Sequence, residues 1–125
     1  GSVASTLSNV AAALVNDIIN KEAVAIAIEL FTDSLWAGTW DLVDKSQQLT
    51  PDDVTRSRSV SREQLIMLVM DVWPFDDDVE PAMLEHLVIR ARKMVHKHRV
   101  NGEYDEESEL RKEREDIRLA VGHGL

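Results

Sequence analysis

Four acidic side chains lie within the nine residues 73–81, WPFDDDVEP, where they could bind a metal ion or act as acids and bases. A calcium loop of the EF-hand type needs alternating oxygen ligands, a central glycine and a closing glutamate at fixed positions. Here Asp76, Asp77 and Asp78 are consecutive, no glycine is present, and Pro81 follows Glu80. A catalytic carboxylate pair needs two different environments, which neighbouring solvated aspartates lack. The stretch therefore predicts a turn between two helices.

The four histidines do not have the spacing of a metal site. His96 and His98 are two residues apart on a predicted helix and diverge, unlike an i, i+4 pair of ligands. His86 and His123 have no partner at ligand spacing. The chain has no cysteine, no glycine-rich phosphate loop, no nucleophile elbow and no HExxH motif. We therefore predict a protein that is not an enzyme and that holds no metal or cofactor.

A row of basic side chains is the one feature that predicts a specific function. Residues 81–100 contain one acidic and five basic residues, although the whole chain has a net charge of −9. Four of their side chains recur every three or four residues and share one helix face: His86, Arg90, Lys93 and Lys97. A helix that buries its other face and offers cations to phosphates or base edges is suited to recognise DNA. The alternative is an ordinary solvated face, or one that pairs with the acidic residues 103–116, since the overall acidity argues against non-specific binding of nucleic acid.

Two helices are predicted before this region. In residues 3–19, Leu7, Val10, Leu14 and Ile18 recur at helical spacing, and Asn20 could cap a second helix at 21–37. The alanine run 11–13 permits close approach and favours self-association or docking on the rest of the chain. Gly38 suggests that the segment LWAGTWDLV leaves the helix or forms a short strand. Residues 45–60 are polar and predict a connection.

The boundaries of the following elements are marked by local chemistry. Ser61 and Gln64 form a capping box before an apolar helix at 62–73, which we predict to be the central buried helix. Pro74 ends it, and Pro81 suits the first position of a helix that runs to about residue 98. Residues 101–116 are acidic and predict an exposed helix or a mobile insertion. The ending IRLAVGHGL, residues 117–125, predicts a short strand and a turn.

Five segments occur in a familiar order: LTP (49–51), VSREQL (60–65), DVWPFDDDV (71–79), RARKMV (90–95) and IRLAVGHGL (117–125). Together they resemble the winged-helix effector domain of OmpR/PhoB-type response regulators. The resemblance covers about residues 49–125. It implies that WPFDDDVEP is the turn of a helix-turn-helix, that residues 81–98 form the recognition helix, and that the chain closes on a β-hairpin wing.

We therefore expect a mainly α fold. It would comprise a winged-helix-like domain at 49–125 with a short terminal β-hairpin and an acidic insertion at 101–116, preceded by a helical extension at 3–45. The resemblance implies a transcription regulator that binds double-stranded DNA through His86, Arg90, Lys93 and Lys97, with Arg118 contributed by the wing. The alternative is a helical module for protein–protein assembly, either as a homodimer or with another protein, through its N-terminal helices.

Other features of the sequence bear on the cellular location of the protein. Gly1 and Ser2 resemble a cloning remnant, which suggests a fragment of a longer protein. No apolar run is long enough for a membrane span, no secretory signal is visible, and the lack of cysteine favours a reducing compartment. A cytoplasmic protein is expected.

Overall fold

A computed structural model describes residues 2–47, 60–99 and 105–123, and these residues form four helices. They are α1 (Ser2–Gln47), α2 (Arg62–Val72), α3 (Pro81–Arg99) and α4 (Glu106–His123). At 1.5 Å per residue, the 46 residues of α1 extend about 69 Å. Helices α2, α3 and α4 all pack on α1, and α2 also packs on α3. The three shorter helices therefore use α1 as a common support.

One apolar core joins the four helices. Helix α1 contributes its buried side chains only from Ile28 onward, at intervals of three or four residues. Helix α3 is the most deeply buried of the others, since α2 buries only Leu65 and Val69. The largest fully buried apolar side chains are Ile28, Phe31, Leu35, Leu65, Leu87, Met94 and Ile117. The core thus covers the second half of α1 and leaves the first half outside it.

The predicted boundaries of α2 and α3 are confirmed. The amide of Gln64 donates to the Ser61 hydroxyl at 3.1 Å, and the amide of Ser61 donates to the Gln64 side chain at 2.8 Å, which completes the capping box. Helix α2 ends before Trp73, whose indole N–H donates to the carbonyl of Asp77 at 2.9 Å. Helix α3 begins at Pro81. The acidic stretch is therefore the connection between two helices.

The predicted winged helix with a terminal β-hairpin is wrong. The described residues contain no strand, and residues 117–123, expected to form a strand and turn, continue α4 to His123. Leu110, Glu113, Ile117 and Val121 recur at helical spacing and place one face of α4 against the core. This burial stabilises the helix despite the unfavourable propensity of Gly122. Arg118 accordingly lies on a helix, while residues 124–125 lie outside the described residues.

The N-terminal region forms one helix where two were predicted. Helix α1 passes through Asn20, since a capping residue starts a new helix only where the chain has already left the previous one. It also passes through Gly38, which excludes the short strand suggested there. A Cβ at Gly38 would lie 2.4 Å from Leu68 Cδ1, so this glycine allows α2 to approach α1 closely. The predicted connection at 45–60 falls mostly outside the described residues.

Two predictions of burial are also wrong. Helix α2 is not central, because it lies at the edge of the bundle with Met67 and Met70 exposed. Residues 101–116 were expected to form an exposed helix or a mobile insertion outside the core. From Glu106 onward they do form a helix, α4, but Glu113 is only 1% exposed. Both errors arise because a helix's neighbours, and not its own composition, decide how much of it is buried. Residues 101–104 lie outside the described part of the chain.

The burial of one face of α1 gives a direct test of the fold. Leu35→Ala should lower the free energy of unfolding by about 2–5 kcal/mol, because it leaves a cavity at a fully buried position. Leu30→Ala, on the same helix but at a position 62% exposed, should change it by no more than about 0.5 kcal/mol. Urea unfolding followed by circular dichroism measures both. Equal losses in the two variants would contradict this packing of α1.

Candidate functional site

Two members of the basic row on α3 are engaged with α4. Arg90 donates to Glu113 Oε2 through Nε at 3.0 Å and Nη2 at 2.8 Å, and through Nη2 to Asp116 at 2.7 Å. Lys97 donates to Glu113 Oε1 at 3.1 Å and pairs with Glu109 at 2.8 Å. Both oxygens of the buried Glu113 carboxylate are therefore paired with cations from α3.

The electrostatics of this network favour the charged forms. Burial lowers the pKa of Arg90, but hydrogen bonds and charge from Glu113 and Asp116 outweigh it, so the pKa is raised. The pKa of Lys97 is raised in the same way, since the bonds to Glu109 and Glu113 outweigh the effect of burial. Removing one partner of a buried ion pair leaves an uncompensated charge and typically costs about 3–5 kcal/mol. Arg90 and Lys97 thus join α3 to α4 where DNA contacts were expected.

The other three predicted DNA-binding residues lie apart from this network. Lys93 is exposed on α3 and makes no ion pair within the described residues. His86 is partly buried on the same helix. Arg118 is exposed on α4 and pairs with Glu115, three residues before it, at 2.7 Å. The structure therefore brings together Arg90 and Lys97 but does not gather all five residues into one surface.

The acceptors of this network were not predicted from the sequence, although a signal for them was present. Glu109, Glu113 and Asp116 follow one another at helical spacing, as Arg90 and Lys97 do on α3. Two helices with complementary charged faces can pair along those faces. The acidic segment was interpreted as solvated because it has few apolar residues. Its pairing with the basic row of α3 was named only as the alternative to DNA binding.

A second buried polar cluster surrounds His98. Its imidazole stacks on Trp40 with ring centres 4.0 Å apart and meets the edge of Trp36 at 4.6 Å. Its Nε2 lies 2.7 Å from the Thr39 hydroxyl oxygen and 3.2 Å from the Trp36 carbonyl oxygen. The indole N–H groups of Trp36 and Trp40 both donate to Glu106, at 3.1 and 3.2 Å. The cluster therefore joins α1, α3 and the first turn of α4.

Hydrogen bonding indicates that His98 is neutral. The Thr39 hydroxyl donates to the Trp36 carbonyl at 2.7 Å, so Nε2 of His98 carries the proton donated to Thr39. The buried Nδ1 has no hydrogen-bond partner, and a proton there would be an unsatisfied donor. Burial lowers the pKa of His98 to about 4, against smaller raising effects of the Trp36 carbonyl and of Glu106 and Asp44. The imidazole acts as a structural group in the core.

The first half of α1 carries more than half of the large apolar side chains that are exposed in the described part of the chain. Every side chain from residue 6 to residue 24, here called the protruding segment, is exposed. Its charged residues are Asp17, Lys21 and Glu22, of which Asp17 and Lys21 pair at 3.0 Å. Leu7 is 65% exposed and Leu14 is 61% exposed. Soluble monomers rarely display contiguous apolar patches of more than a few hundred Å², which makes this segment a candidate site of interaction.

The apolar side chains of α1 form two stripes. Leu7, Val10, Leu14 and Ile18, here called the core-side stripe, lie on the same face of the helix as the buried Ile28, Leu35 and Val43. Val15, Ile19, Ile26 and Leu30, here called the outer stripe, lie about 130° further around the helix at 100° per residue. The core-side stripe thus continues the buried face of α1 beyond the point where the bundle ends.

Two grooves lie where the protruding segment leaves the bundle. One, of about 420 Å³, is lined by α1 residues that include Val24 and Ile28 and by Arg118 and Gly122 of α4. The other, of about 390 Å³, is lined by Val24, by Trp73 and Phe75 of the turn, and by Met83 and Val121. Val24 and Gly122 border both grooves, so the apolar surface of the protruding segment continues onto the end of the bundle.

Other kinds of site have less support in the structure. In residues 2–47, 60–99 and 105–123, no three histidine, aspartate or glutamate side chains are grouped as a metal ion would require. None of the described helices has the length and hydropathy needed to cross a membrane. Comparison of the chain with family models, with curated proteins and with solved structures finds no match. The protruding segment is therefore the candidate site, on the strength of its geometry alone.

The ion pairs of Glu113 predict a difference between two basic residues of α3. Arg90→Ala should lower the free energy of unfolding by about 3 kcal/mol, because it leaves the buried carboxylate of Glu113 with Lys97 alone. Lys93→Ala, at an exposed position of the same helix, should change it by no more than about 0.5 kcal/mol. Urea unfolding measures both variants. Unchanged stability in Arg90→Ala, together with weaker binding to duplex DNA, would instead support a recognition helix.

The buried imidazole predicts a pH dependence of stability. Between about pH 6.5 and pH 4, the unfolded chain binds a proton at His98 and the folded chain does not, so acid favours unfolding. Over this range the side chain should remove up to about 3 kcal/mol of stability. His98→Gln should flatten the dependence, as measured by urea unfolding at a series of pH values, while His96→Gln at an exposed position of α3 should retain it. Parallel curves for wild type and His98→Gln would count against this assignment.

Proposed function

We propose that this chain is a non-enzymatic assembly module, which binds a protein helix along the protruding segment of α1. The observation that supports this is the exposure of every side chain from residue 6 to residue 24, in a helix whose apolar stripe continues the core face. Amphipathic helices in proteins derive most of their stability from packing their apolar face. A helix that continues for 19 residues beyond its bundle lacks that packing until a partner supplies it.

The energetics suit a reversible complex. Four side chains of the core-side stripe still expose half or more of their surface: Leu7, Val10, Leu14 and Ile18. Completing the burial of each would contribute about 1 kcal/mol, from the 1.5–3 kcal/mol for burying a whole aliphatic side chain. Association itself costs about 4–15 kcal/mol. Because these terms are similar in size, binding requires a partner that covers a whole stripe, and contact with a few side chains is not enough.

DNA binding stays a prediction and is not the function we propose. The ion pairs of Arg90 and Lys97 with Glu113 weigh against it, since a groove-binding helix needs those cations free to meet phosphates. The two cations are also set among the acidic side chains Glu109 and Asp116, which would repel a phosphate backbone. Helix α3 is better described as a structural helix with one charged face paired to α4.

The proposal predicts a separation between binding and folding. Leu7→Asn, Leu14→Asn and Ile18→Asn together should abolish retention of any protein, including other copies of this chain, by the immobilised module in an extract of its own cells. At a protein concentration low enough to dissociate any complex, the melting temperature of the bundle should change little, because the three positions lie outside the core. Retention is measured by mass spectrometry against wild type, and melting by circular dichroism.

The matched control combines Thr6→Gln, Ser8→Asn and Asn16→Gln, which change exposed polar residues of the same segment. It should retain the same proteins as wild type. Identical retention by the wild-type chain and the Leu7/Leu14/Ile18 variant would rule out the stripe as a binding surface. A clear fall in melting temperature of that variant would show that the stripe stabilises the fold itself.

A further inference from the structure

We infer that the partner of the protruding segment is a second copy of this chain, packed antiparallel along the core-side stripe. The inference rests on the proposed function and specifies both the occupant of the surface and its direction. It follows from three features of the structure: where the bundle lies relative to the stripe, where the charge lies along the chain, and how large and small side chains alternate on α1.

The position of the bundle on the stripe side of α1 favours an antiparallel pair. The core-side stripe faces the side of α1 on which α2, α3 and α4 pack. The end of α4 reaches the groove beside Val24, so a neighbour that follows the stripe towards the C-terminus meets α4 and the turn at 73–80 there. In a parallel pair, each copy would direct its bundle at the other copy's bundle. In an antiparallel pair, each bundle lies beyond the end of the paired region, so both copies can bury the stripe.

The distribution of charge along the chain also favours an antiparallel pair. The protruding segment carries only Asp17, Lys21 and Glu22, so nearly all of the net charge of −9 lies elsewhere in the chain. A parallel pair would hold two acidic bundles side by side and bring each Asp17 close to its counterpart. An antiparallel pair separates the bundles by the length of the paired helices, well beyond the screening distance of about 8–10 Å in physiological salt. The weakly charged segment is then the part of the chain that approaches its copy.

Large and small side chains of two copies of α1 fit one another in an antiparallel register. In an antiparallel register that places Leu7 opposite Ile18 of the second copy, Ala11 lies opposite Leu14, and the two-fold axis falls between residues 12 and 13. The small Ala11 leaves room for the large Leu14, so the helices can approach closely. This register pairs the set Leu7, Ala11, Leu14 and Ile18 with itself, as a two-fold symmetric interface requires, while Val10 lies at the level of Val15.

The size of the contact is sufficient for a specific complex. The 19 residues of the protruding segment extend about 28 Å, and half the circumference of a helix about 11 Å across is about 17 Å. The two copies would thus cover about 1,000 Å² in total, at the lower end for specific interfaces. The base of each bundle adds to it, since the grooves beside Val24 lie next to the end of the paired region.

Light scattering and pulsed dipolar spectroscopy of a spin label test the inference on the intact chain. Since the chain has no cysteine, Ser34→Cys introduces a single labelling site on an exposed part of α1. The expected mass is twice the 14.1 kDa of one chain. In the antiparallel register, Ser34 of one copy lies 43 residues along the helix axis from Ser34 of the other, a label separation of about 65 Å. A parallel pair would give less than about 35 Å, because the two labels would lie at the same level on neighbouring helices that are each about 10–12 Å across.

Two matched pairs of substitutions identify the stripe. Leu14→Asn/Ile18→Asn on the core-side stripe should reduce the mass to that of one chain, while Val15→Asn/Ile19→Asn on the outer stripe should leave the dimer intact. A short label distance, or dissociation caused only by the outer-stripe pair, would overturn the inference.

A monomeric wild type at about 100 µM would also overturn the second copy as occupant. If such a monomer still retained another protein from the extract, and Leu14→Asn/Ile18→Asn abolished this retention, the assembly function would stand with a different partner. Failure of retention as well would refute the inference and the proposed function together.

Discussion

The arrangement of the bundle depends on one buried carboxylate. Glu113 receives Arg90 and Lys97 on its two oxygens, and these long side chains join α3 to α4 while both helices pack on α1. Its position fixes α4 along its axis, which places Ile117 in the core and Arg114 against Asp33 of α1 at 2.7 Å. A buried charge tolerates little displacement from its partners, because an unpaired carboxylate in the interior is strongly unfavourable. The ion pairs therefore set the register in which the apolar surfaces meet.

The His98 cluster has the same role beside these ion pairs, near the C-terminal end of α3. Trp36, Trp40 and Thr39 of α1 surround its imidazole, and Glu106 receives both indole N–H groups at the start of α4. Apolar burial alone would allow the helices to slide or rotate, since one aliphatic contact resembles another. Polar groups with directional bonds along residues 90–98 of α3 restrict this freedom. The bundle thus combines an apolar centre with two polar contacts that determine how its helices are aligned.

The sequence allowed those elements to be predicted whose causes are local. The ends of α2 and the start of α3 follow from Ser61, Gln64, Pro74 and Pro81, which act on their own few residues. The continuity of α1 through Asn20 and Gly38 depends on what packs against it, and so does the burial of α4. Glycines near the end of the chain suggested a strand and turn at 117–125, although Ile117 and Val121 belong to a helical face. The candidate surface was anticipated as a stripe, but that it stays exposed depends on where the bundle ends.

Because α1 is unbroken, the direction of its buried face also fixes the direction of the candidate surface. Each residue turns the helix by about 100°, so the direction of the core-side stripe is set by the number of residues between Ile18 and Ile28. Inserting one residue there would turn Leu7, Leu14 and Ile18 away from the side on which the bundle lies, although no contact in the core would change. Inserting seven would restore their direction to within about 20° and lengthen the protruding part by about 10 Å. A change in the length of this stretch would therefore preserve the direction of the stripe only in steps of about two turns, and it would set how far the bundle stands from whatever the stripe binds.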